Sequence, residues 1–322
     1  PIPSRVSHPV SLADLVPTLS EISGLAPLPG YGESVLPWII GVETQPQARW
    51  FAMETLYPLT YNWSPLFALR GQGWKYIHAP KPELYHVADD PGEKENCVAS
   101  DSETAADYKS RLESALVEIG MNRPFQPQSN PQGDKADLLA SLGYVGGGAI
   151  DSSQASLDQN PELRDPKDMV DVCMQIDQAL GYVVQNEYMK AIDLFVKAMR
   201  QDPANPSPVF NLGMVYGRMG NLEMAIRFTR KGLQLAPKSV MVEMQLSRLY
   251  ILNEQYDLAT EILQSLVQRL PHLADAFFQL GEIEYRQNRP EAALVNFKKA
   301  QQWMPGLPGL EERIEELSSR VP

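Results

Sequence analysis

The chain of 322 residues carries 28 Lys and Arg against 40 Asp and Glu, a formal net charge of −12, with 43% hydrophobic residues. That length and apolar content suffice for two domains with real cores, and the absence of any run of eighteen apolar residues leaves no segment expected to span a membrane. The acidity is lopsided, with 10 basic and 19 acidic side chains in residues 1–160, and no basic stripe marks either half, which argues against nucleic acid as a partner.

Two cysteines, Cys97 and Cys173, fall in different expected domains, and His8, His78, His86 and His272 are scattered. Four-ligand spacing is missing, so neither a structural disulfide nor a zinc site is expected. The sequence starts Pro1-Ile2-Pro3 with no charged-then-apolar leader, so no secretion signal is expected within this stretch, and the compartment stays unassigned.

In chain order, Asp14 is placed to cap a helix whose first turn tolerates Pro17, with Leu15, Leu19 and Ile22 on one face and Gly24 as the stop. Residues 26–35 are Pro- and Gly-rich loop. Four stretches with strand character follow: Arg49 to Thr55, Pro65 to Arg70, Trp74 to Ala79 and Glu83 to Val87. Turn signals at Gly71-Gln72-Gly73 and Pro80-Lys81-Pro82 predict a small antiparallel meander. Asp89-Asp90-Pro91-Gly92-Glu93 reads as a turn, and Glu103 to Ile119 as an amphipathic helix ended by Gly120, covering one face of the sheet.

These residues carry a resemblance. Pro9-Val10-Ser11-Leu12-Ala13-Asp14-Leu15-Val16-Pro17-Thr18-Leu19, then Gly32-Glu33-Ser34-Val35-Leu36-Pro37, Ala68-Leu69-Arg70, Trp74-Lys75-Tyr76-Ile77, Glu83-Leu84-Tyr85 and Asp90-Pro91-Gly92-Glu93-Lys94-Glu95-Asn96 resemble, in order and spacing, the later part of a sulfatase of the alkaline-phosphatase-like superfamily. His86 departs from the pattern, since the family usually has Asp there. The resemblance implies that residues 1–120 are the C-terminal, non-catalytic subdomain of a sulfuric ester hydrolase. Sulfatases carry the formylglycine nucleophile, made from a C/S-x-P-S-R motif, and most calcium-binding carboxylates further toward the N-terminus. Pro3-Ser4-Arg5 mimics the end of that motif, but Pro1 holds the nucleophile's place. Catalytic residues, calcium, formylglycine and a sulfate ester substrate are therefore expected only of an intact parent, exported or periplasmic, and this chain alone is expected to be inactive.

Other candidates in this piece have bland readings. Asp89 and Asp90 fall short of the six or more oxygen ligands of a calcium cage and read as a solvated turn. His78 and His86 lie near strand ends, where they line a substrate pocket of the intact enzyme or simply pack. Arg70 and Lys75, neighbours across the hairpin, bind an anion or face outward. No nucleophile with a base and oxyanion partner is visible in residues 1–150.

Residues 121–167 read as a linker rich in Pro, Gln, Asn and Gly, with an apolar island, Ala136 to Val145, expected to form a short docking helix. Such a Leu-Gly-Tyr segment (Leu142-Gly143-Tyr144) resembles the joint in bacterial sulfatases that carry a repeat tail.

From residue 168 the sequence becomes periodic. Pro203, Pro237, Pro271 and Pro305 stand thirty-four residues apart, in phase with Ala191, Ala225, Ala259 and Ala293, with the small column Ala179, Gly213, Ser247 and Gly281, and with Tyr182, Tyr216 and Tyr250 before the break at Glu284. Apolar spacing predicts two helices per copy, joined by tight turns at Gln185-Asn186-Glu187, Met219-Gly220-Asn221, Asn253-Glu254-Gln255 and Gln287-Asn288-Arg289. The small columns let paired backbones approach, and each proline ends the second helix. Four stacked copies share a core that one cannot build. These columns resemble tetratricopeptide (TPR) repeats over residues 168–305. Residues 306–322 then supply a capping helix with Leu310, Ile314, Leu317 and Val321 on one face.

The predicted architecture is thus an α/β fragment, a small antiparallel sheet with helices, followed by an all-α TPR solenoid. The resemblance places a concave groove on the first helices: Ile176, Leu180 and Val183; Phe210, Asn211, Met214 and Arg218; Met241, Met244, Gln245, Arg248 and Ile251; Phe278, Gln279, Glu282 and Tyr285. Methionine and phenylalanine floors adapt to different apolar side chains, and the two arginines would add a carboxylate contact. The expected partner is a protein or peptide. Ile176 and Leu180 replace the Lys and Asn of a terminal-carboxylate clamp, so chaperone-tail binding is not expected. The alternative is that the repeats are an intramolecular or dimerisation scaffold.

Overall fold

The computed structural model describes residues 9–26, 32–42, 49–118, 163–237 and 239–319. The chain divides into two compact units, Pro1–Thr55 with Leu66–Asn122, and Leu56–Pro65 with Arg123–Pro322. The expected docking helix, Pro3-Ser4-Arg5, the stop at Gly120 and Val321 lie outside the described residues.

In the first unit, β1 (Trp50–Thr55), β2 (Leu66–Gly71), β3 (Trp74–His78) and β4 (Glu83–Tyr85) form an antiparallel sheet in sequence order. Gln72 and Gly73 close the β2–β3 hairpin with φ of 46° and 85°, beside the last pair Gly71 and Trp74. Two positive φ values match the twist of the flanking strands, which is why the tight hairpin forms there. Helix α3 (Ser102–Glu118) packs on β1, β2 and β3 through buried Tyr108, Leu112 and Leu116. The Tyr108 hydroxyl donates to the Gly71 carbonyl at 2.7 Å. A side chain at Gly71 would strike the Trp50 ring, 2.6 Å from where its Cβ would stand, so glycine is required for this close layer.

The N-terminal helix departs from its expectation. Ser11, not Asp14, is the capping residue; its side chain accepts from the Ala13 amide and opens a 3-10 turn, Leu12–Asp14, that runs into α1 (Leu15–Ile22). Asp14 instead anchors the unit, accepting from the amides of Ser11 (2.7 Å) and Glu33 (3.0 Å) and from both terminal nitrogens of Arg49 (2.9 and 2.7 Å). Thr18 and Ser20 join Asp14 on the buried side, while Leu15, Leu19 and Ile22 are exposed. A short helix, α2 (Leu36–Ile39), follows, and the Thr18 hydroxyl accepts from the Val35 amide just before it.

In the second unit, a 3-10 turn at Pro166–Met169 leads into four helix pairs: α4 (Val170–Val184) with α5 (Tyr188–Gln201), α6 (Pro206–Arg218) with α7 (Leu222–Leu235), α8 (Val240–Leu252) with α9 (Tyr256–Arg269), and α10 (Ala274–Arg286) with α11 (Pro290–Trp303). Helix α12 (Leu310–Ser318) closes the stack.

The period is visible atom by atom. Asp202, Ala236, Leu270 and Met304, each preceding a column proline, share φ from −132° to −143° and ψ from 72° to 83°, the extended geometry a following proline imposes. At the turns, Asn186, Gly220, Glu254 and Asn288 are all left-handed, with φ of 60°, 78°, 59° and 58°. The next amides bond back to Tyr182, Tyr216, Tyr250 and Glu284 at 2.8–2.9 Å, and the left-handed residues' own amides to Val183, Gly217, Ile251 and Tyr285. That pair of bonds is the Schellman ending, which satisfies carbonyls a helix terminus would otherwise orphan. The four column alanines are fully buried. A Cβ on Gly213 would come within 2.4 Å of Thr229 Oγ1, and one on Gly281 within 2.5 Å of the Phe297 ring, so the small column is set by helix-helix contact. Buried clusters run from Val172 through Val215, from Leu246 through Ile283, and from Ala293 to Leu317.

Candidate functional site

The expected groove residues separate into three groups. Ile176, 1% exposed, and Val183 belong to the first buried cluster, and Ile251 to the second. They are core rather than groove floor. Asn211 is also buried, and its amide donates to the Ser207 carbonyl of its own helix at 2.9 Å, so it is not free to hold a ligand.

Phe278 and Tyr285 form the second group, claimed by the cap. Phe278 and Tyr285 pack on the cluster containing Leu307, Leu310 and Leu317. The Tyr285 hydroxyl donates to Glu316 at 2.7 Å, and the Arg313 guanidinium lies 4.4 Å from its ring centre while donating to Glu282 at 2.7 Å. Gln279 is used between helices, accepting from the Ser247 hydroxyl at 2.7 Å. The reason is the end of the stack: a last first-helix face has no further repeat beside it, and the capping segment takes its place.

The third group reaches solvent. Phe210, Met214, Met244 and Gln245 are half-buried, and Leu180, Arg218, Met241 and Arg248 are exposed. Met214 leans on the first cluster and Met244 on the second, so each methionine is packed on one side and only half-buried. By contrast Glu243 and Arg269 are paired with each other, as are Glu282 and Arg313.

The stretch between β1 and β2 also belongs to this surface. Residues 56–65 are part of the second unit. A 3-10 turn at Tyr57–Tyr61 packs against α6, and Tyr61 and Trp63 join the buried cluster with Val172 and Ile176 of α4. Their rings stack at 4.6 Å, and Tyr57 meets Tyr61 edge-on at 5.3 Å with the two hydroxyls 2.8 Å apart. The Trp63 indole N–H donates to the buried Asp202 carboxylate at 2.6 Å, and the Ser64 amide to the Arg164 carbonyl at 2.9 Å. Burial, then the bond with Tyr57, pushes the Tyr61 phenol up, and burial also pushes up the Cys173 thiol against the opposing bond with Tyr61. The signals were present in sequence: four ring or proline side chains in seven residues, and an aspartate where the other repeats have Ala236, Leu270 and Met304.

In the first unit, Lys75 pairs with Glu93 at 2.7 Å, and His86 Nδ1 lies 2.8 Å from Asp89 with its ring edge-on to Trp74. His78 is buried with Nδ1 3.4 Å from the Tyr76 hydroxyl. Asp90 accepts from the Lys94 and Glu95 amides at 2.6 and 2.9 Å, which with its other backbone bonds draws its carboxyl below the ordinary range. Cys97 and Cys173 are free. Among the described residues no three His, Cys, Asp or Glu come together as a metal-ligand set, and no helix is long and apolar enough to cross a membrane.

A family model described as tetratricopeptide repeat matches residues 208–239. Solved structures that match part of the chain include "Crystal structure of MamA protein", 20% identical, covering 46% of this chain and 81% of the other with a TM-score of 0.42, and "MamA 41-end from Desulfovibrio magneticus RS-1", 19% identical, covering 46% and 84% with a TM-score of 0.43. No curated protein sequence matches the chain. The 34-residue period, the four helix pairs and the family match together define a TPR-type repeat region, the class of fold used as a protein-interaction module.

Proposed function

We propose that the repeat region is a protein- or peptide-binding module joined to the C-terminal, non-catalytic part of a sulfatase-like hydrolase. The observation that carries the binding part is the row of half-buried and exposed methionine and arginine side chains along the first helices of the second and third pairs: Met214, Arg218, Met241, Met244 and Arg248. Thioethers adapt to varied apolar side chains and guanidinium groups select carboxylates, so the ligand is an extended segment with apolar residues next to Asp or Glu.

What supports the sulfatase part is the ordered series of motifs over residues 1–120, together with the apolar side of α1. Leu12, Leu15, Leu19 and Ile22 are all exposed, the kind of surface that a larger catalytic domain covers. Formylglycine, calcium and the sulfate ester are assigned to the parent's catalytic part and to no residue of this chain. With 4-nitrophenyl sulfate the chain itself should show no turnover, and the coding sequence upstream of Pro1 should hold a C/S-x-P-S-R motif; turnover here, or its absence there, refutes this part.

For the binding part, a displayed library of random peptides should yield binders to the full chain that lose at least ten-fold in affinity against Met244→Ala or Arg248→Glu, both variants keeping native helical content. Binders indifferent to both changes, or none at all, would refute it. The second reading, an intramolecular scaffold, is favoured by one observation: Tyr61 and Trp63 are already buried with Val172 and Ile176 of α4, and the Tyr57–Tyr61 turn packs on α6.

A further inference from the structure

The face that a tetratricopeptide array offers to partners is, around Val172 and Ile176 of α4 and on part of α6, already covered by an aromatic segment from outside the array. Pro58, Tyr61, Trp63 and Ser64 are buried, and the segment is held as a bound peptide would be: the Tyr61 and Trp63 rings, stacked on each other, enter the cluster of Val172 and Ile176, the Trp63 indole N–H donates to a carboxylate, and the Ser64 amide makes a single backbone bond to Arg164. The side-chain amide of Asn62 adds a long contact to the Ala204 carbonyl, 3.5 Å, beside the turn that carries Asp202.

Asp202 is the specific element. Its carboxylate is 1% exposed and accepts from Trp63, with the Arg164 guanidinium 3.6 Å away on its other oxygen. A buried carboxylate without such donors would be costly, so its presence at one junction only marks a site built for an N–H donor. Nothing in the helix-pair packing demands an acid there, because Ala236, Leu270 and Met304 fill the same place in the other three copies.

We infer that Tyr57–Ser64 is a tethered ligand of the first two helix pairs, and that these pairs form a recognition site for a Tyr-x-Trp segment, with Asp202 reading the indole. This rests on the reading of the first-helix face as an interaction surface, and the tether leaves the solvent-reaching part of α6 and the third pair to external partners.

The test uses the full chain and a fluorescein-labelled peptide, Leu-Tyr-Pro-Leu-Thr-Tyr-Asn-Trp-Ser-Pro, corresponding to residues 56–65. The wild-type chain, its site filled, should bind it at least ten-fold more weakly than a Trp63→Ala chain, and a peptide with Trp replaced by Ala should not compete. Equal or absent binding to a Trp63→Ala chain of native helical content would overturn the inference. Should that chain not fold, hydrogen exchange on the wild type decides. Exchange of the Trp63 and Ser64 amides by local opening, accelerated by excess peptide, supports a ligand; exchange only with global unfolding overturns it. Neither readout involves Met244 or Arg248, so this inference and the proposed outer binding surface fail separately.

Discussion

In the second unit the decisive contacts join neighbours in the repeat: Ala225 beneath Gly213 and Thr229, Phe297 against the backbone of Gly281, a left-handed residue bonding to the carbonyl just behind it. In the first unit, Asp14 reaches Arg49 across thirty-five positions, and four strands hold register only as a set. The difference is one of range. A repeat can be altered at one column and the damage stays in the adjoining pairs, because its energy is a sum of local and nearest-neighbour terms. The first unit concentrates its dependence on a few long-range bonds, and should fail as a whole when one is cut.

The largest expected effect follows from that. Asp14→Asn leaves Arg49, itself mostly buried, without a carboxylate and should cost the first unit about 3 kcal/mol. Hydrogen exchange should then rise across β1 to β4 while the helix pairs keep their protection; equal loss in both regions would break the comparison. Acid should act on the same point. The Arg49 hydrogen bonds hold the Asp14 carboxyl far below its ordinary value of 3.8, with burial opposing and the Ser11 and Glu33 amides adding to the pull. Because the folded value is depressed, this stabilisation is complete above the ordinary carboxylate range and is lost progressively as pH falls below about 4. An acid titration of the wild type should lose sheet protection before helix signal, and Asp14→Asn should remove that dependence.

A smaller effect is expected at the small column. Gly281→Ala places a methyl group 2.5 Å from the ring of fully buried Phe297, and overpacking of this kind costs about 2 kcal/mol. Gly217→Ala makes only ordinary contact, 3.5 Å from Leu249, and should be neutral or stabilising by up to about 1 kcal/mol from helix propensity. Thermal unfolding followed by helix signal separates the two. A similar loss at both would mean that glycine serves these helices by flexibility, not by close approach.

The same difference in range explains what the sequence made legible. The columns of proline, alanine and small residues could be read because every partner they need lies within one period. The strands were readable from alternation and turn residues, and the Gln72-Gly73 hairpin from its glycine. Three things were not. The role of Asp14 depends on Arg49 and Glu33, which no local pattern ties to it, so a capping role looked sufficient. The buried side of α1 is polar, Thr18 and Ser20, continuing from Asp14 in the turn before it, which inverts the usual amphipathic rule. Ile176 was assigned to an open groove because its cover, Tyr61 and Trp63, comes from more than a hundred residues earlier in the chain.

The smallest expected effect sharpens the comparison within the repeats. The left-handed turn position is Asn186, Gly220 and Asn288 in three copies, residues that enter this conformation at low cost, but Glu254 in the third, with φ of 59°. Nothing in the backbone differs: the Gln255 amide still bonds to the Tyr250 carbonyl at 2.8 Å and the Glu254 amide to Ile251 at 3.1 Å. The third pair therefore holds a residue with a Cβ where the geometry disfavours one, and Glu254→Asn should stabilise the chain by about 0.5 kcal/mol. Glu254→Gly should gain less, because glycine also loosens the unfolded chain. In a region of this size the shift in Tm is on the order of 1–2 °C, readable with replicate melts. Because the turn is local, hydrogen exchange should slow in α8 and α9 and nowhere in the sheet. A gain spread over both units would show that the repeats are coupled more widely than nearest-neighbour packing allows, and no gain would mean that Glu254 is compensated by a contact its neighbours lack.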